Sequence, residues 1–247
     1  MKKWFLAFLF STACAVFLFA GLPAYRRWLR TDSSFRVRRV VVEGNDLIPA
    51  DDVLRRAGIR KGRTIWAVDR PAAEKRILRN PFVEHVTVYR GFPDVIRVRV
   101  VERKPVVLLK TGGRFHTLDR NRVLMPAPPG RCYTLPILSV DEMPETAPGG
   151  TVEDPRVSEG LAFLESMLRD RPGLYGRISE IRPDPREGVV LTTSNGGIPV
   201  RIGRNGYEWK VRYLEAILNE LETHPALTHA AYIDLRFEGQ VFVGFGA

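Results

Sequence analysis

Cysteine is almost absent. The 247 residues hold two, Cys14 inside an apolar run and Cys132 far outside it; once that run is read as a membrane segment, a structural disulfide is excluded. Cys132 is expected to be buried or inert. Histidine is scarce as well, and His85, His116, His224 and His229 fall in no ligand or triad spacing. The nearest pair, His224 and His229, stands at i and i+5 about Pro225, a separation that one helical face does not present together. No metal site and no Cys-His nucleophile is therefore expected. No glycine-rich phosphate loop occurs either: Gly112-Gly113, Gly149-Gly150 and Gly196-Gly197 sit where turns are expected, and turns use glycine for positive φ. The acidic residues cluster chiefly between Asp141 and Asp154, in a run rich in proline and glycine that reads as a mobile loop. Nothing in this inventory calls for an enzyme, a cofactor or a small-molecule substrate.

What the chain does contain begins with an uncharged apolar run from Trp4 to Leu22, 19 residues, or about 28 Å as a helix, enough to cross a hydrocarbon core. Lys2 and Lys3 before it, and Leu22-Pro23-Ala24 after it, also fit a cleaved secretory signal. The run is longer than a usual signal core, and Tyr25 and Trp28 suit an interface anchor, which favours retention. Arg26, Arg27 and Arg30 beyond the run outnumber the two lysines before it, so a simple positive-inside count does not orient it. Charge is unevenly placed along the chain: residues 1–34 carry net +4, residues 35–104 net +8 and residues 105–247 net −2, within a total of +10.

The basic middle section is also the most patterned. Val40 and Val42, then Val86 and Val88, then Ile96, Val98 and Val100 repeat at period two, so three strands can each turn one apolar face to a core. Pro49 with Asp51 and Asp52 marks a helix start and Gly58 its stop. Asp69 caps a second helix with Pro71 in its first turn, Ile77 and Leu78 on its buried side, and Asn80-Pro81 at its end. The order β-α-α-β-β is a small α+β unit. With V-x-V-x-G at Val40–Gly44, N-P-F-V at Asn80–Val83 and FPDVIRVRVVERKPV at Phe92–Val106, it resembles a POTRA domain. Arginine-rich modules can contact nucleic acid through phosphates. Here Arg97 and Arg99 alternate with core residues of one strand, as solvent-facing side chains do, and no aromatic stacking motif accompanies them. Lipid headgroups or acidic partners fit that surface better than nucleic acid.

Beyond Pro105, strands are expected at Val106–Leu109, Arg114–Leu118, Val123–Met125, Ile178–Arg182, Val189–Thr193 and Ile198–Ile202. Two helices interrupt them, striped by Val157, Leu161, Leu164 and Leu168 and by Tyr207, Val211, Leu214, Leu218 and Leu221, and both stripes are read as packing on the domain's own sheet. A closing pair, Ala230–Leu235 and Gly239–Phe245, forms a hairpin whose last strand falls at a sheet edge, where unpaired N–H and C=O groups can accept another strand.

The strings GVVLTTSNGGIPVRIGR and AAYIDLRFEGQVFVGF, with the amphipathic helix between them, resemble the β domain of the FtsQ/DivIB family of bacterial cell-division proteins. The resemblance implies three parts: a short cytoplasmic tail, transmembrane anchor and juxtamembrane segment over 1–30, a POTRA domain over 35–104, and a mixed β-sheet domain with two packed helices over 105–247. It implies a single-pass inner-membrane protein, N-terminus in and body periplasmic, enriched at the septum. It further implies a non-catalytic scaffold that binds FtsB-like and FtsL-like single-span proteins, and through them influences FtsW and FtsI. Family members take the partner as an added strand just after a D-L-R motif, here Asp234-Leu235-Arg236. Phe237, Gly239, Val241, Val243 and Phe245 would follow at period two, with Phe237 and Phe245 as aromatic anchors and Arg236 as an ion-pair donor. The rival class, a POTRA-bearing chaperone or transport component, usually shows repeated POTRA units or a long set of barrel strands, and neither pattern appears.

Overall fold

The computed structural model describes residues 2–127, 134–223 and 230–245. Cys132, His224 and His229 lie outside that set. The chain forms two compact units, Met1–Glu102 and Arg103–Ala247.

In the first unit, helix α1 (Lys2–Val16) passes through a π-helical turn (Phe17–Gly21) into α2 (Leu22–Thr31). The turn has a local cause. Pro23 lacks an N–H and its ring would meet the carbonyl four residues back in an unbroken α-helix, and the wider spiral, with Leu22 N–H donating to the Phe17 carbonyl, lets the helix continue. Among the described residues, the stretch long and apolar enough to cross a membrane is Phe8–Trp28, with mean hydropathy 1.8 and no described side chain buried against the protein. It reaches further along the chain than the Trp4–Leu22 run, because the proline does not end the helix.

A 3-10 turn (Ser33–Phe35) leads into β1 (Arg39–Glu43), α3 (Ala50–Ala57), a second 3-10 turn (Ile65–Ala67), α4 (Arg70–Ile77), β2 (Val83–Gly91) and β3 (Val95–Glu102). The expected β-α-α-β-β order is present. The sheet runs β1-β3-β2, with β1 parallel to β3 and β2 antiparallel to it. Val86, Val88, Ile96, Val98 and Val100 face the core and meet Val53, Ala57, Ala73 and Ile77 from the helices. Gly58 ends α3 at φ +63°, and the Asp69 carboxylate accepts from Ala72 N–H at 3.1 Å to start α4. Leu78 departs from expectation: it is 46% exposed. One residue past Ile77 is about 100° further round the helix, so the buried side of α4 is the i,i+4 pair Ala73 and Ile77.

At the end of β3, Glu102 accepts from three successive backbone N–H groups, those of Asp46, Leu47 and Ile48, at 2.9, 2.6 and 2.7 Å. This carboxylate fixes the loop that enters α3. Just before it, Gly44 stands at φ +79°, and a Cβ there would lie 2.3 Å from the Val100 carbonyl oxygen, so the glycine of V-x-V-x-G is sterically required.

The second unit carries a nine-stranded mixed sheet on which two helices pack. Its strands are β4 (Val107–Thr111), β5 (Arg114–Leu118), β6 (Leu124–Pro126), β7 (Ile137–Ser139), β8 (Ile178–Asp184), β9 (Gly188–Thr193), β10 (Pro199–Gly203), β11 (Ala230–Asp234) and β12 (Phe242–Phe245), and its helices are α5 (Pro155–Asp170) and α6 (Tyr207–Thr223). Their order in the sheet is β12-β11-β10-β9-β8-β7-β4-β5-β6. Hairpins make the antiparallel pairs. Three pairs are parallel and need a crossover: β7-β8 and β10-β11 are bridged by α5 and α6, and β4-β7 by a connection that contains β5 and β6. Val157, Leu161 and Leu164 of α5 and Val211, Leu214, Leu218 and Leu221 of α6 are buried, with Leu168 and Tyr207 half-buried beside them. Phe163 and Met167 of α5 are fully buried as well, because the helix meets the sheet over a wider face than one stripe. Gly160 permits that approach: a Cβ there would stand 2.5 Å from a Leu138 methyl.

Asp154 is no part of a loose loop. It caps α5, accepting from Arg156 N–H at 2.8 Å, and the Arg156 side chain closes on the same carboxylate. Strand β7 has no counterpart among the expected strands.

Val98 is wholly buried and Arg99 exposed. Val98→Asp should therefore cost about 3 kcal/mol or more by burying an unpaired carboxylate. Arg99→Gln, which gives up an exposed ion pair with Glu43 and an exposed contact with the Tyr89 ring, should cost about 1 kcal/mol or less. Thermal melts of the two variants check this, and equal losses would place the strand register one residue out.

Candidate partner-binding edge

The C-terminal edge is assembled around one buried carboxylate. Strand β11 lies parallel to β10, with Val200 opposite Ile233 and Arg201 opposite Asp234, and Leu235 N–H extends the pairing to the Arg201 carbonyl at 2.8 Å. Ile233 and Leu235 enter the core, and Asp234, between them in sequence, is 4% exposed. Arg236 turns back onto it: Nε donates at 3.0 and 3.1 Å and Nη2 at 2.6 Å, and the backbone N–H of Arg236 adds a bond at 3.1 Å. Burial alone would push the Asp234 carboxyl up, but these bonds and the nearby Arg201 guanidinium outweigh it and hold the group below the usual carboxylate range. Under the same corner, buried Lys210 donates from Nζ to the carbonyls of Ile202 and Arg204 at 2.7 and 3.1 Å. Burial pulls its ammonium pKa down, and the Asp234 charge opposes the shift. Arg236 is thus committed to its own chain.

The strand after this corner is shorter than its sequence pattern. Gly239 stands at φ +71° and Gln240 N–H donates to the Phe237 carbonyl at 3.2 Å, so residues 237–240 form a turn. A left-handed residue interrupts the pleat, and β12 begins only at Phe242. Phe237 and Gly239 are therefore in the turn, Val241 just precedes the strand, and Val243 and Phe245 lie within it. The expected single row from Phe237 to Phe245 does not exist. Val241 and Val243 are half-buried against the domain core, whereas Phe245 is 51% exposed.

Two aromatics outside that row complete the edge. Phe242 is half exposed and meets Phe237 edge to face, 5.7 Å between ring centroids. Tyr232 on β11 covers Gly244, where a Cβ would come within 2.1 Å of the ring, and the Arg201 guanidinium stands 5.6 Å from its centroid. The sequence signal for both was parity: Tyr232 and Phe242 alternate with the inward residues Ile233 and Val243.

The two margins of the sheet are not equivalent. At β6, Leu124 N–H donates to the Gly150 carbonyl at 2.9 Å, Gly149 N–H returns to Leu124 at 2.7 Å, and Val123 bridges Thr151. A segment of the same chain covers that edge. Along β12, β11 is the only strand paired among the described residues. Also among the described residues, no group of three or more His, Cys, Asp or Glu side chains is placed to hold a metal ion.

Asp234 and Asp154 both carry folded-state pKa values below their ordinary one, and both are held by arginine side chains. The sign follows: their stabilisation is complete above the unfolded pKa of about 3.9 and is lost as pH falls through the lower folded values. Asp234→Asn should cost about 2 kcal/mol at neutral pH and flatten the fall in stability below about pH 4. Urea melts across that range measure both effects, and an unchanged acid slope would remove Asp234 from the linkage.

Residues 35–103 match the model of the POTRA domain, FtsQ-type, and residues 106–236 match that of Cell division protein FtsQ/DivIB, C-terminal. The second match ends at Arg236, before β12. The cell division protein FtsQ of Salinibacter ruber is 30% identical over 216 residues, covering 83% of this chain and 81% of the relative. That of Syntrophotalea carbinolica is 28% identical over 233 residues, covering 94% and 80%, and that of a Geobacter species 27% identical over 235 residues, covering 94% and 84%. With a family model over more than half its length and a relative at this identity along most of both chains, the protein belongs to the FtsQ/DivIB family of cell-division proteins.

Proposed function

We propose that this chain is a non-catalytic, single-pass membrane scaffold of the divisome. Its N-terminus is cytoplasmic, its two folded units lie on the periplasmic side, and it is enriched at the septum. It captures an FtsB-like single-span protein, together with an FtsL-like one, by adding a strand to β12, and so bears on the FtsW and FtsI synthase pair. The observation that supports this most is the asymmetry of the large sheet, covered by its own chain at β6 and, among the described residues, unpaired on the outer side of β12.

Backbone pairing supplies register and much of the contact energy, and side chains supply selectivity. Of the residues expected from sequence, Phe245 and Phe237 are the exposed aromatic anchors, now joined by Phe242 and Tyr232. Val241 and Val243 hold the strand to its own core, Gly239 sets the turn, and Arg236 locks that turn through Asp234. Arg236 therefore shapes the edge and does not reach across it.

Two measurements test the interface and a third tests the topology. Phe242→Lys/Phe245→Lys alters side chains that are each about half exposed, so the variant should stay folded by circular dichroism yet lose capture of an FtsB-like segment. Hydrogen exchange on the wild-type complex should show new protection of the amides at 242–245. A folded variant with undiminished capture, or β12 amides that exchange as fast bound as free, would move the interface elsewhere. For topology, protease added outside the cytoplasmic membrane should degrade nearly everything beyond Arg26 in a protein whose N-terminal sequence is intact; a mature start near Tyr25 would instead identify a cleaved signal.

A further inference from the structure

We infer that the membrane-proximal end of the first unit is a lipid-docking surface, built from the Ile65–Ala67 turn and the tip of the β2-β3 hairpin, that takes the anionic phosphodiester headgroups of the bilayer carrying α1 and α2. This rests on reading that helix as a retained anchor.

The surface begins where the helix ends. Trp28, the last residue of the apolar stretch, stands edge-on to Phe35 at 5.4 Å between centroids, and Phe35 in turn contacts Phe92 at 5.4 Å and Trp66 at 6.5 Å. Phe35 is buried. The two rings beyond it are not: Phe92 is 73% exposed at the hairpin tip and Trp66 is 40% exposed. A lone exposed aromatic is ordinary. Two that share a contact with a ring touching a membrane-spanning helix lie at headgroup depth, where amphipathic rings concentrate.

Charge surrounds the same rings. The segment carrying Arg36 and Arg38 threads between the two loops: Val37 N–H donates to the Arg63 carbonyl at 2.8 Å, Arg36 bridges Thr64, and Arg38 N–H donates to the Asp94 carbonyl at 2.9 Å. Arg36, Arg38 and Arg63 are all exposed there. Among the described residues only Arg38 has a carboxylate partner, Asp94 at 3.5 Å. The turn itself is held rigidly, because Arg90 donates to the carbonyls of Ile65 and Val68 at 2.8 and 3.0 Å with its guanidinium 5.7 Å from the centre of the Trp66 ring. A fixed aromatic ledge ringed by guanidinium groups suits an anionic leaflet, to which each arginine contributes roughly fivefold in the docking equilibrium.

The test uses the full chain in nanodiscs of phosphatidylcholine alone or of phosphatidylcholine and phosphatidylglycerol in equal amounts, with acyl chains brominated near the headgroup. The Trp66 signal is the difference between the chain and its Trp66→Phe variant. It should be quenched in the discs containing phosphatidylglycerol, and much less so in phosphatidylcholine alone. Quenching should also fall at about 1 M salt, where screening shortens to about 3 Å. Arg36→Gln/Arg38→Gln/Arg63→Gln, folded by circular dichroism, should abolish the dependence on phosphatidylglycerol, and Phe92→Ser should weaken quenching in every disc. An integral chain whose Trp66 stays unquenched, or is quenched equally in both lipids, overturns the docking surface alone. A chain that alkaline carbonate strips from the membrane overturns the anchor reading and the docking surface with it.

Discussion

The parallel pairing of β11 with β10 is the constraint on which the C-terminal unit depends. Parallel neighbours cannot be joined by a tight turn, so the chain must travel from Gly203 to Ala230 over the face of the sheet. Helix α6 makes that crossing and lays Val211, Leu214, Leu218 and Leu221 on the core as it does so. The chain returns to pair β11 with β10, and β12, which follows after a turn, takes the open side of β11. The exposed position of β12 is thus a result of topology, not of any special composition in its four residues.

The corner between β11 and β12 explains how such a short terminal strand is kept in register. Asp234 is buried, and a buried carboxylate is tolerated only when its charge is met and its lone pairs are used. Arg236 does both from two residues away, which forces the chain to fold sharply before it runs back along β11. Gly203 opposite supplies room, since a Cβ there would approach Arg236 Cγ to 3.0 Å. The D-L-R string is therefore a structural device first: an acid to be neutralised, a leucine to be buried and a base that bends the chain.

Much of this was legible in the sequence, and what was missed has physical reasons. Period-two valines, a proline with two aspartates, a capping Asp69 and a closing Gly58 specify the first unit because local preference and burial agree at each position. Leu78 departs from its expected burial because it follows Ile77 directly at the helix end and points about 100° away from it. Strand β7 escaped because three residues after Pro136 offer too little alternation to register as a strand. The sequence pattern overstates β12 because alternation continues through Phe237, Gly239 and Val241 while the extended backbone does not; a left-handed glycine interrupts a strand without disturbing its pattern. The same error hid Phe242, whose even position placed it opposite the apparent row. The division-family membership, in contrast, was carried by strings that span both units and needed no such local detail.

The cover that residues 149–151 place over β6 has a consequence for assembly. A sheet open at both margins is a repeating unit: each copy can accept one neighbour and offer itself to another, and pairing then propagates without limit. With one margin closed from within the chain, the large sheet offers a single unpaired margin among the described residues, at β12. A strand added at β12 would meet a closed margin on the far side of the sheet, and pairing through this sheet would not propagate.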